Sequence, residues 1–124
     1  MPRQVIVTAE VAKPGGPYSQ AVRVGSLIFL SGQAGTDKTG TLKSGIEAQT
    51  SQALDNVRAI LAACGTTLAD VAQVVAYVAD LRDYQKMNAV YSGYFLKDPP
   101  ARATIQAVLP AGVLVEFVVT AQVG

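Results

Sequence analysis

Between Ser44 and Gly65 the apolar residues fall at Ile46, Ala53, Leu54, Val57, Ile60, Leu61 and Cys64. That spacing lines one face of an α-helix. It predicts a helix over about 46–63, with Gly65 as the C-terminal stop. Ser44-Gly-Ile-Glu47 has the form of a capping box, with Ser44 as N-cap and Glu47 three residues on. A second helical stripe, Tyr84, Met87, Tyr91, Tyr94 and Phe95, predicts a helix over 84–95, opened by Asp83 and closed by Asp98-Pro-Pro100.

Elsewhere the apolar runs are short and rich in β-branched residues. Residues 3–8 alternate weakly and read as a first strand. Runs 21–24 and 27–30 flank Gly25-Ser26, a hairpin signal. Residues 71–79 are apolar on both parities, the mark of a buried strand. Runs 102–108 and 113–122 are the last two strands, joined through Leu109-Pro-Ala-Gly112. Segments 12–19 and 35–45 are rich in Gly, Pro and polar residues and read as loops. The order is β-β-β-α-β-α-β-β: an α+β domain over residues 1–124, with a single mixed sheet and two helices on one face. The last strand is apolar on both its faces. The sheet face away from the helices therefore needs a cover, and a second subunit is the simplest one.

Composition sharpens this picture. Hydrophobic residues make up 50% of the chain and charged residues only 15%, against a usual charged share of about 25%. So few charges point to apolar surface hidden in an oligomer. The net charge is +1 and no two Lys or Arg residues are adjacent, which argues against nucleic acid as a partner. No apolar stretch reaches membrane-spanning length without a charge or a helix breaker, and no secretory signal opens the sequence. The one cysteine, Cys64, has no internal partner, so the chain reads as intracellular, in the cytoplasm.

The absence of histidine decides much of the chemistry. It removes Ser-His-Asp and Cys-His nucleophilic sites and, with one cysteine, any ordinary zinc site. No glycine-rich phosphate fingerprint occurs, so no nucleotide cofactor is suggested. Acid–base work falls to a carboxylate, a tyrosine or bound water. Two lone charges then stand out in apolar runs, Arg102 and Glu116. Burying either is costly unless it is paired or hydrogen-bonded. Arg102 can clamp a carboxylate bidentately, or it can form a structural pair with Glu116. Glu116 can orient a water, partner Arg102, or sit at an interface. Tyr18, following Gly15-Gly-Pro17, can wall a pocket or pack. Ser31-Gly-Gln33 can present backbone amides and a hydroxyl to a ligand. Cys64 and the Tyr84/Met87/Tyr91/Tyr94 stripe read as core.

Seven segments together give a resemblance: Gly16-Pro-Tyr-Ser-Gln-Ala21, Phe29-Leu-Ser-Gly-Gln33, Gln49-Thr50 through Asn56-Val57, Asn88-Ala-Val-Tyr91 with Tyr94-Phe95, Pro100-Ala-Arg102, Leu109-Pro110 and Glu116. In that order and spacing they resemble the Rid (YjgF) family of imine and enamine deaminases, over nearly the whole chain. The resemblance implies a chorismate-mutase-like α+β fold and a homotrimer with ligand clefts between subunits. It implies cofactor-independent hydrolysis of 2-imino or enamine acids, such as 2-aminoacrylate and 2-iminobutanoate, to 2-keto acids and ammonia. Arg102 matches the family's carboxylate-binding arginine, and Glu116 the carboxylate that helps the attacking water. Tyr18, Ser31, Gly32 and Asn88 match pocket positions. Backbone groups near Thr104 would help Glu116 place the water, and Thr104 itself counts among the substrate-binding residues. Thr104 stands where many members carry cysteine, so no thiol mechanism applies. The stretch from Arg102 to Leu109 is one residue shorter than the family pattern. Competing readings are a protein that binds 2-keto acids without turnover and a ribonuclease.

Overall fold

The computed structural model describes residues 2–123. Its strands are β1 (Gln4–Ile6), β2 (Ala21–Val24), β3 (Leu27–Leu30), β4 (Gln33–Ala34), β5 (Val71–Val78), β6 (Ala101–Gln106) and β7 (Val115–Gln122). The helices are α1 (Ile46–Ala63) and α2 (Tyr84–Tyr94), and single 3-10 turns lead into β5 and α2. The α+β architecture follows the expected order with one addition. Strand β4, two residues long, is too short to leave a pattern in the chain.

All strands join one sheet in the order β1-β2-β3-β7-β5-β6, with β4 also alongside β7. Strands β5 and β6 run parallel, and every other pairing is antiparallel. The parallel pair requires a crossover, and α2 provides it.

The core lies between the helices and one face of the sheet. Val115, Phe117, Val119 and Ala121 alternate along β7 and are fully buried. With them sit Leu54, Val57, Ile60 and Leu61 of α1 and Met87 and Tyr91 of α2. Each such side chain contributes about 1.5–3 kcal/mol on burial. Two buried polar residues on α1 tie the helix to the sheet. The Gln49 amide donates to the carbonyls of Lys43 and Gly112, at 3.0 Å each, and accepts from Leu114 N at 2.8 Å. Asn56 donates to the carbonyls of Ala34 and Thr36 at 3.1 and 2.8 Å. Helix and strand approach so closely that a Cβ on Gly35 would lie 2.5 Å from Gln49 Cα. Cys64 is buried, and desolvation pushes its thiol above the ordinary value.

The helix starts differ from expectation. Gly45, at φ 88°, is the N-cap of α1, with no side-chain cap bond. The Ser44–Glu47 box is not formed, because Ser44 lies one residue too early. Asp83 precedes α2 but gives no side-chain cap either. Asp80 instead accepts from Arg82 N at 2.9 Å, so the 3-10 turn is capped and α2 grows out of it.

The other sheet face is left open. Cross-strand partners share a face, so its rows run through Val5, Val22, Phe29 and Thr120, then through Val118, Val75 and Ala103, and through Glu116, Tyr77 and Ile105. Phe29 and Ile105 are 44% and 45% exposed. Glu116 is the one charged residue at these positions.

Candidate ligand site

Arg102 is the second residue of β6, just after the Pro99-Pro100 stop. It lies opposite Val74, which in turn lies opposite Val119. Both valines are fully buried, so Arg102 points to the helix side of the sheet. There α2 receives it. Arg102 Nη2 donates to Asn88 Oδ1 at 2.7 Å and to the Tyr84 hydroxyl at 3.3 Å. Tyr84 and Asn88 are four residues apart and share a helix face. The guanidinium carbon stands 4.6 Å from the centre of the Tyr91 ring and 5.7 Å from that of Tyr84. Such stacking holds the planar group by its face and contributes roughly 0.5–2 kcal/mol.

The guanidinium is thus fixed through one edge and one face. Among the described residues, no carboxylate lies within salt-bridge distance of it. Arg102 is half-exposed, and beside it opens a cavity of about 290 Å³ lined by Asn88, Tyr91, Ser92, Phe95, Pro99 and Arg102. A rigid cation with free N–H donors is what a planar carboxylate requires. Hydrogen bonding by Asn88, and then by Arg102, holds the Tyr84 phenol below its ordinary value of 10. Burial pushes Tyr91 the other way, against the opposing pull of Arg102.

Glu116 is built differently. On β7 it pairs with Tyr77 of β5 and with Ala34 of β4. Its neighbours Val115 and Phe117 point into the core, so Glu116 points to the open face. Gly32 is what makes room there. A Cβ at position 32 would lie 2.7 Å from Glu116 Oε1. Among the described residues no side chain donates to this carboxylate. It borders a second cavity, of about 330 Å³, that Tyr18, Gly32, Gln33 and Pro110 also line. Tyr18 is 54% exposed and stands over the glycine turn, its hydroxyl accepting from Gly15 N at 3.2 Å. Ser31 lies beside this group, but its hydroxyl donates to the Ser19 carbonyl at 2.6 Å. Ser31 therefore fixes the Tyr18 loop rather than offering a free donor.

The structural Arg102–Glu116 pair is overturned. The two residues occupy opposite faces of the sheet, because the register across β5 sets Arg102 opposite Val74 and Glu116 opposite Tyr77, three residues apart and of opposite parity. The expected site residues therefore fall into two groups on opposite faces, two candidate half-sites. One holds Arg102 and Asn88, with Thr104 two residues along the same face opposite Ala76. The other holds Glu116, Gly32 and Tyr18, with Ser31 behind them. Tyr84 has the spacing of the apolar stripe, yet it stands against Arg102. The sequence signal for this is its four-residue spacing from Asn88.

Residues 8–123 match the family model described as Endoribonuclease L-PSP. A RutC family protein of Pyrococcus abyssi is 45% identical over 94% of each chain. Human 2-iminobutanoate/2-iminopropanoate deaminase is 42% identical, over 93% of this chain and 86% of its own. The solved structure of E. coli TdcF with bound serine superposes with a TM-score of 0.93 at 31% identity, covering 98% of this chain and 99% of that one. The chain belongs to the Endoribonuclease L-PSP family, also called the Rid or YjgF family.

Proposed function

We propose that this protein hydrolyses small 2-imino acids, or the enamines in equilibrium with them, to 2-keto acids and ammonium. The observation that carries the reading is the Arg102 guanidinium, oriented by Asn88, stacked on Tyr91 and without a counterion among the described residues. Its free donors suit the carboxylate of a 2-imino acid, and a bound carboxylate fixes the adjacent imine carbon in space. Protonated, that carbon is already electrophilic, so the reaction needs no covalent nucleophile and no cofactor. Water adds to it and the proton it sheds goes to Glu116. Glu116 returns that proton to the carbinolamine nitrogen, the C–N bond breaks with release of ammonia, and the hydroxyl proton lost as the keto group forms converts the ammonia to ammonium. The human relative named a 2-iminobutanoate/2-iminopropanoate deaminase and the serine-bound TdcF both support a small carboxylate ligand.

The two half-sites face away from each other within one chain. We therefore infer a homotrimer in which the open sheet face is covered by a neighbour, and in which Arg102 of one subunit meets Glu116, Tyr18 and Gly32 of the next. An almost uncharged open face with Phe29 and Ile105 exposed supports this assembly. The test is release of 2-keto acid from imines generated in situ by an amino-acid oxidase. Arg102→Lys keeps the charge but loses the fork, and turnover should fall by about 10²-fold or more. An unchanged rate removes Arg102 from the site.

A second reading is binding of a 2-keto acid without turnover. The complete Arg102 half-site within a single chain, with Glu116 on the far face, favours it. Wild-type turnover of several imines against the spontaneous rate separates the two.

A further inference from the structure

We propose that the Tyr84 hydroxyl is a second anion donor beside Arg102 and binds the ligand carboxylate directly. The inference rests on the reading that Arg102 holds such a carboxylate. Tyr84 has the spacing of the apolar stripe of α2 but does not share its fate. Met87, Tyr91 and Phe95 are 0%, 6% and 8% exposed, whereas Tyr84 is 36% exposed. Its position is thus set by something other than the core, and that is Arg102, whose Nη2 donates to the Tyr84 oxygen at 3.3 Å.

The direction of that bond is what matters. A guanidinium can only donate, so the phenol oxygen accepts and keeps its own proton. Among the described residues nothing accepts that proton. Asn88 acts on the phenol as a donor, since its hydrogen bonding lowers the Tyr84 phenol, while its Oδ1 accepts from Arg102 Nη2 at 2.7 Å. The half-site therefore presents two kinds of donor on one side: the free N–H groups of Arg102 and the O–H of Tyr84. A carboxylate has two oxygens and about four acceptor positions, enough for both donors. The class of ligand favoured is a small monocarboxylate, and an amide analogue, with one acceptor oxygen, forfeits part of the contact.

The phenol also gives the contact a pH signature. Neutral, it donates; ionised, it would set a negative charge against the ligand carboxylate. Arg102 on β6 is the charged group in contact with it and also faces Tyr91 of the same helix; Asp83 just before Tyr84 and Lys86 two residues on are its charged neighbours in the chain. Arg102 stays charged throughout, and the depressed phenol brings its ionisation below pH 10.

The experiment is calorimetric titration of the intact assembly with 2-ketobutyrate from about pH 7 to pH 10, for wild type, Tyr84→Phe and Arg102→Lys. Phenylalanine keeps the exposed ring and its stacking, so the fold should be unaffected. Tyr84→Phe should weaken binding about tenfold at pH 7, the usual effect of losing one hydrogen bond to a charged group. It should also abolish the decline in affinity that the wild type shows as pH rises towards 10. Arg102→Lys should weaken binding further. Wild-type affinity in Tyr84→Phe, with Arg102→Lys impaired, overturns the Tyr84 assignment alone. So does weakened binding that keeps the alkaline decline, because the loss then comes from a displaced Arg102. Normal binding by Arg102→Lys, or none by wild type, overturns the carboxylate-clamp reading and this inference with it.

Discussion

Gly32→Ala should separate the chemistry of the Glu116 half-site from the stability of the fold. An alanine Cβ would lie 2.7 Å from Glu116 Oε1, 2.8 Å from Cδ and 3.1 Å from Cγ. Carbon atoms in contact prefer about 3.5–4.0 Å, so the carboxyl group must retreat by roughly 0.7–1 Å. It can do so at little cost. The obstructed atoms are the end of a flexible side chain on the open face, and Gly32 does not have a left-handed φ that an alanine would strain. The loss of stability should stay below about 1 kcal/mol, under the usual range for overpacking a closed core. Turnover should suffer far more, because a displacement of about 1 Å at a reacting group can cost 10²-fold. Gly35→Ala is the control. There the new Cβ would meet the Gln49 backbone, at 2.5 Å from Cα and 2.7 Å from the carbonyl oxygen. The backbone cannot swing aside, so α1 must lift from β4. That change should cost about 3 kcal/mol and lower Tm by about 10 °C. Single-turnover imine hydrolysis and thermal melts followed by circular dichroism on the two variants read both quantities. Full activity in Gly32→Ala, or a melt depressed as far as that of Gly35→Ala, would refute the reasoning.

Glu116→Gln should cut hydrolysis by about 10²-fold while retaining 2-ketobutyrate binding, which calorimetry can check. Sedimentation equilibrium should give three times the 12.9 kDa chain mass, and Phe29→Glu, which puts a charge in the open face, should dissociate the assembly. In the 37–41 turn the Asp37 carboxyl is held at about 2, chiefly by the Thr39 hydroxyl and next by the Thr41 amide, against 3.8 ordinarily. A carboxyl depressed by folding stabilises above its unfolded pKa, and this is lost as pH falls towards the folded one. Asp37→Asn should therefore lower Tm at pH 7 but leave it unchanged near pH 2.

The elements were legible because their signals are local. The α1 periodicity ends at Ala63 as its spacing requires, and Gly25-Ser26 joins β2 to β3. Other features depend on partners distant in the chain. Strand β4 exists because Gln33 and Ala34 meet Phe117 and Glu116, about eighty residues away, and two residues carry no periodicity. The facing of Arg102 and Glu116 is a property of the register on either side of β5, which no pattern within β6 or β7 reveals. The Ser44–Glu47 pattern fails for a local reason, since a left-handed glycine can start a helix without any capping side chain. The place of Tyr84 is hidden in the sequence because an aromatic at helical spacing looks the same whether it faces the core or a guanidinium.

The separation of Arg102 from Glu116 by the thickness of the sheet bears on genetics as well as geometry. If each cleft borrows its arginine and its glutamate from different chains, a chain lacking either residue still carries one sound half. Co-assembly of Arg102→Gln and Glu116→Gln chains, each inactive by itself, would then regenerate some clefts with both residues intact. Such complementation between alleles cannot occur where one chain supplies a whole site. The same counting sets the damage in mixed trimers: a chain lacking one of the two residues spoils one cleft, whereas a chain lacking both spoils the two clefts it shares with its neighbours.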